Sequence, residues 1–174
     1  SYLKNRDLII QTIEVFNEIE SNKSITETQK EIIKSGLLSN FKCLSYNIIG
    51  KKLFTFSEQY EFAENYIKEL LNSTNSKIRF NCIVNAQLCK NKELKKLIYS
   101  TGLRDRSERV VIKTIEEILR GKRIKKDFRK EISKIIQNVK NENSKEWLEI
   151  SLQLNKNGYA FVNEKENQCW VYLK

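Results

Sequence analysis

The same short turn is written twice in this chain, 32 residues apart, and that repeat limits the fold more than any other feature. Leu71, Ser73, Asn75 and Ile78 in the first copy fall on Leu103, Asp105, Ser107 and Val110 in the second. Each copy sets a helix-capping side chain three positions before an apolar residue, the form expected where one helix hands over to an antiparallel neighbour. A third, weaker copy at 141–147 places Trp147 where Val110 stands, at a spacing of 37. Such a chain is built from short helices joined by tight polar turns.

The segments between the turns have the matching periodicity. Ile9, Ile13 and Phe16 share a face of a helix over 7–20, and Ala63, Ile67 and Leu71 share one over 57–71. Ser24 with Glu27, and Thr55 with Glu58, read as capping boxes opening further helices. Two helical pieces are expected over 25–54, parted near Gly36 or Ser39. Helices follow from Ser76 to about Cys89, over 92–100, from Ser107 to Leu119, over 124–139 and over 144–153. The runs YAFV (159–162) and CWVYL (169–173) then read as the arms of a β-hairpin around a polar turn at 163–168. Such a hairpin is marginal alone and is expected to pack on the helices as a cap, with an exposed Trp170–Tyr172 surface as the sharper alternative.

The patterns L-x-S-x-N-x-x-I-R at 71–79 and L-x-D-x-S-x-x-V at 103–110 resemble the inter-helix turn of HEAT repeats. That resemblance covers about 70–150. It implies a mostly α fold, a short right-handed stack of antiparallel helix pairs, closed here by the C-terminal β-hairpin. The chain has no proline, which the family often places near this turn, and the arginine present as Arg79 is Val111 in the second copy. No composition shift divides the 174 residues, so one domain is expected, helical over 1–153 with the hairpin cap over 158–174.

Charge is distributed very unevenly. Residues 88–140 hold 17 Lys/Arg against 7 Asp/Glu, whereas 1–87 are nearly balanced and 141–174 carry a net charge of −1. The densest run, RGKRIKKDFRK at 120–130, has seven basic side chains and one acid, Asp127. Arginine is the better discriminator from a generally lysine-rich surface, because guanidinium pairs bidentately with phosphate and carboxylate. Seven of the eight arginines, Arg79 to Arg129, lie within 51 residues. On a helix over 107–120, Arg109, Lys113, Glu116 and Arg120 fall within about 60° of one another, opposite Val111, Ile115, Ile118 and Leu119. The i,i+4 pairs Lys113–Glu117 and Glu116–Arg120 would partly neutralise that face. In 124–139 the stripe Ile124, Phe128, Ile132, Ile135, Ile136 and Val139 leaves Lys126, Arg129, Lys130, Ser133 and Lys134 on other sides. The candidate partner-binding set is Arg104, Arg106, Arg109, Lys113, Arg120, Lys122, Arg123, Lys126, Arg129 and Lys130.

Chemistry beyond binding finds little support. With no histidine, the commonest general base and every Ser–His or Cys–His nucleophile are missing. Glu93 and Lys95 match the tail of a metal-dependent nuclease pattern, but no aspartate lies between Asp7 and Asp105 to complete it. Cys43, Cys82, Cys89 and Cys169 form no CxxC pair, so no metal or cofactor is expected and the thiols read as reduced. There is no P-loop or GxGxxG, no apolar run of membrane length and no apolar leader, so a cytoplasmic location is the default. The expected function is a non-enzymatic module that engages an acidic protein surface, as an adaptor or toxin-neutralising, immunity-type protein. Backbone-type nucleic-acid binding by the same face is the alternative. The expected partner is thus an acidic protein, with nucleic acid second and no membrane.

Overall fold

A computed structural model describes residues 2–39, 48–121, 123–138, 145–164 and 167–173. Its order is α1 (Tyr2–Asn22), α2 (Glu27–Ser39), α3 (Ile48–Phe56), α4 (Glu61–Leu71), α5 (Ser76–Asn85), a 3-10 turn (Ala86–Leu88), α6 (Lys92–Leu103), α7 (Glu108–Arg120), α8 (Lys125–Gln137), α9 (Lys145–Lys156), β1 (Tyr159–Glu164) and β2 (Asn167–Tyr172). The protein is mostly α-helical. It divides into two compact units, Ser1–Ile98 and Tyr99–Lys174, with the division falling inside α6.

In the first unit α1 packs on α2 and α3, and α3 packs on α4, α5 and the 3-10 turn. Phe16, Ile19, Ile33, Leu53, Phe54 and Ile67 are buried there, each worth about 1.5–3 kcal/mol in removed apolar surface. The α1–α2 crossing is set by Gly36. A Cβ at that position would lie 2.4 Å from Thr12 Oγ1, so the helices can meet this closely only at a glycine. The expected break in 25–54 therefore does not fall at Gly36: α2 runs through it to Ser39.

Both proposed capping boxes need correction. The box that forms is Thr26 with Gln29, two residues beyond Ser24–Glu27. The Thr26 N–H donates to Gln29 Oε1 at 2.9 Å and the Gln29 N–H donates to Thr26 Oγ1 at 3.2 Å. Thr55 opens no helix. It lies inside α3, its hydroxyl donating to the Lys51 carbonyl at 2.9 Å, and α4 starts instead after Tyr60. Tyr60 is placed by tertiary contacts: its hydroxyl donates to the Ile19 carbonyl at 3.2 Å and its ring stacks 5.1 Å from that of Phe56.

The two turns that repeat in sequence repeat in hydrogen bonding. Ser73 Oγ accepts from the Asn75 N–H at 3.2 Å, and Asp105 Oδ1 accepts from the Ser107 N–H at 2.8 Å. The Asn75 carbonyl accepts from Ile78 and Arg79, and the Ser107 carbonyl from Val110 and Val111. Backbone bonds Asn72→Glu69 and Ser73→Leu70 have their counterparts in Arg104→Thr101 and Asp105→Gly102. Ile78 and Val110 are each buried in their own unit. The copies part at one detail: Asn75 also caps α5 by accepting from the Lys77 N–H, whereas the Ser107 side chain makes no cap bond.

In the second unit α7 packs on α8 and α9, β1 on α9 and β2 on α8. Tyr99 meets Phe128 edge-on at 6.3 Å, and Ile115, Ile118, Ile132, Ile136, Trp147 and Leu154 are buried in the same unit. The strands pair antiparallel from Tyr159↔Tyr172 to Glu164↔Asn167, so they reach further into 163–168 than the apolar runs alone indicate. Gly158 joins α9 to β1 at φ 87°, a conformation that costs other residues a Cβ clash, and its carbonyl accepts from the Leu173 N–H at 2.7 Å. Trp170 lies in β2, and its side chain is outside the described residues.

Candidate interaction surface

The basic candidates separate into three groups. The first is the outer face of α7, where the two expected ion pairs both form. Lys113 Nζ lies 2.9 Å from Glu117 Oε1, and Arg120 Nη2 donates to Glu116 Oε1. Two i,i+3 contacts close these into a ring, Lys113 to Glu116 at 2.8 Å and Arg120 to Glu117 at 3.6 Å. Glu117 is only 4% exposed, so its carboxylate needs both cations to offset lost hydration. Burial lowers the Lys113 pKa, but hydrogen bonds from its ammonium to Glu116 and Glu117 outweigh that and raise it above the ordinary lysine value. Lys113 and Arg120 thus complete a neutral four-residue network, and their field outside it is small.

The second group is exposed: Arg104, Arg106 and Arg109 around the turn before α7, and Arg123, Lys126 and Lys130 at and after the α7–α8 connection. Arg104 Nε donates to the Ser100 carbonyl at 3.1 Å, while Asp105 is turned to the Ser107 N–H. Glu108 accepts a hydrogen bond from the buried Trp147 indole N–H at 2.9 Å, so one acid of this turn is committed to the α9 contact. Lys122 lies outside the described residues.

Arg129 stands apart as the third group. It is half-buried, with its guanidinium carbon 4.5 Å from the centre of the Tyr172 ring. The edge of α8 that carries Arg129 and Ser133 is therefore packed against the strands. Burial raises the Tyr159 pKa, opposed by a hydrogen bond with Ser133 and the nearby Arg129 charge. Sequence reasoning cannot find this arrangement, because the helical period separates Arg129 from the apolar stripe but says nothing of a strand more than 40 residues later.

The chain matches no known protein family, no curated protein and no solved structure. Its own geometry therefore carries the functional reading. Arg79, the first arginine of the cluster, is buried and donates through Nη1 to the carbonyls of Ser73 (2.7 Å) and Thr74 (3.2 Å), so it staples the turn before α5. Cys82 and Cys89 are buried free thiols, and Cys89 Sγ lies 3.8 Å from Ser57 Oγ. Burial raises the pKa of both, which holds them in the unreactive thiol form. Cys43 and the Cys169 side chain are outside the described residues. Among the described residues no three His, Cys, Asp or Glu side chains gather as a metal site, and no helix is long and apolar enough to cross a membrane.

Proposed function

We propose that the chain is a non-enzymatic binding module that engages an acidic protein surface through Arg104, Arg106, Arg109, Arg123, Lys126 and Lys130. The observation that carries this reading is that these six side chains remain exposed once Lys113 and Arg120 are assigned to their glutamates. Arginines spread around a turn and a helix start suit the separate carboxylates of a protein partner, which guanidinium meets bidentately. The 32-residue hydrogen-bond repeat is consistent with HEAT-like helix pairs, an architecture used mostly as a protein-binding scaffold. A neutralising, immunity-type partner is the kind of protein this reading describes.

Backbone-type nucleic-acid binding is the second reading, favoured by the same positive surface. Two features weigh against it. The Lys113–Glu116–Glu117–Arg120 ring removes two of the cations that a phosphate track would use. Tyr99 and Phe128, two of the few aromatics of the basic stretch, are buried against each other and provide no platform for base stacking. Fluorescence anisotropy with labelled duplex DNA and single-stranded RNA across a salt series separates the readings. Protein binding predicts that affinity at physiological salt is no tighter than the ~10⁻⁴–10⁻⁶ M of non-specific association. Tighter binding, with log affinity falling steeply against log salt, would favour the nucleic-acid reading.

A further inference from the structure

Apart from the open basic surface, the second unit holds a cavity of about 380 Å³ between the start of α8, the end of α9 and the first and last residues of the β-ladder. Among the described residues its lining includes three cations, Lys125, Arg129 and Lys156, and no carboxylate. Among the described residues none of the three forms an ion pair. Lys125 Nζ is held by the neutral amide oxygen of Asn157 at 3.1 Å, and Arg129 rests on the Tyr172 ring at 4.5 Å. Half-burying a guanidinium and an ammonium without a carboxylate is costly, and an anion in the cavity would offset that cost.

We propose that this cavity binds a phosphate monoester carried on a small organic group. A phosphate monoester bears about −1.5 to −2 charges at pH 7, which two or three converging cations match better than they match a single carboxylate. A guanidinium stacked on an aromatic face keeps its N–H donors available for bidentate contact with phosphate oxygens. The volume exceeds what one oxyanion fills and lies in the range of small-molecule sites, about 300–1,000 Å³. Leu119 and the tyrosine rings at 159 and 172, whose centroids are 5.0 Å apart, offer apolar surface for the organic part. Gly158, at positive φ, lets the chain turn along the cavity wall without a side chain filling it.

The proposal is independent of the protein-binding reading, and the test separates them. The full chain is titrated by calorimetry and by NMR with inorganic phosphate, adenosine monophosphate and adenosine, at constant ionic strength. Saturable binding of the monophosphate, competition by inorganic phosphate and no binding of adenosine are expected. Arg129→Gln should weaken the monophosphate about tenfold, Arg129→Lys less, and Lys156→Gln several-fold, while Arg104→Gln on the open surface leaves it unchanged. If Arg129→Gln does not fold by circular dichroism, Lys156→Gln decides, because that side chain is exposed and its replacement disturbs no packing. The proposal is overturned if phosphate and the monophosphate do not saturate, if adenosine binds as well as its monophosphate, or if Arg104→Gln weakens binding as much as Lys156→Gln does.

Discussion

Replacing Gly36 by Ala tests a close helix contact in the first unit. In an ordinary helix interior this change stabilises by about 1 kcal/mol, because alanine has the better helix propensity. Here the new Cβ would lie 2.4 Å from Thr12 Oγ1 and 3.1 Å from both Thr12 Cβ and Cγ2. Thr12 is fully buried and its hydroxyl is tied to the Leu8 carbonyl at 2.6 Å, so rotating it breaks a bond and still leaves carbon atoms too close. Overpacking of this kind costs about 1–3 kcal/mol, so after the propensity gain the net destabilisation should be about 0–2 kcal/mol. Thr12→Ala removes the hydroxyl and the methyl. The remaining Cβ–Cβ approach of 3.1 Å needs only a few tenths of an ångström of adjustment. In that background the overpacking is largely relieved and Gly36→Ala should be neutral to stabilising by up to about 1 kcal/mol, a coupling of about 1–3 kcal/mol. Urea denaturation of the wild type, both single variants and the double variant measures it. Additive effects, or stabilisation by Gly36→Ala in the wild type, would refute the close approach of α1 and α2.

Three further outcomes are expected. Arg79→Ala should destabilise by about 2–4 kcal/mol in the same assay, because it leaves the Ser73 and Thr74 carbonyls without their charged donor. Tyr66 has its pKa pushed up to about 12 by burial, with help from Glu69, so its neutral form is favoured in the folded state. Its contribution is fully present below pH 10 and is lost as pH rises from there towards 12, and Tyr66→Phe should flatten that part of an alkaline stability profile. Cys82 and Cys89 should resist alkylation in the native protein and react fully in denaturant; fast native labelling of either would contradict their burial.

The helices, their order and the repeat were legible because apolar period and cap chemistry are local. Gln29 shows where locality misleads: Ser24–Glu27 and Thr26–Gln29 both satisfy the capping-box pattern, and the second forms, with Gln29 Nε2 also donating to Glu18 of α1. Thr55 with Glu58 satisfies it too, yet Tyr60, anchored on Ile19 and Phe56, decides where α4 begins. On the surface, the α7 pairs followed from i,i+4 spacing, whereas the burial of Glu117 did not. Nor could sequence distinguish Arg79 and Arg129, which are engaged by two turn carbonyls and a strand aromatic respectively, from the exposed Arg104, Arg106 and Arg109. Lys125 is absent from the candidate set, and its contact with Asn157, 32 residues away, is equally beyond the reach of helical periodicity.

Recognition of an acidic protein by exposed arginines of the second unit is open to direct test. Affinity capture with the wild type and with an Arg104→Glu/Arg106→Glu/Arg109→Glu/Arg123→Glu variant, from lysate depleted of nucleic acid and quantified by mass spectrometry, tests it most directly. A discrete acidic protein should be retained by the wild type, lost from the folded variant, and retained by Arg129→Gln. Identical capture by wild type and charge-reversed protein would contradict it, and the basic stretch would then be a solvated helix surface.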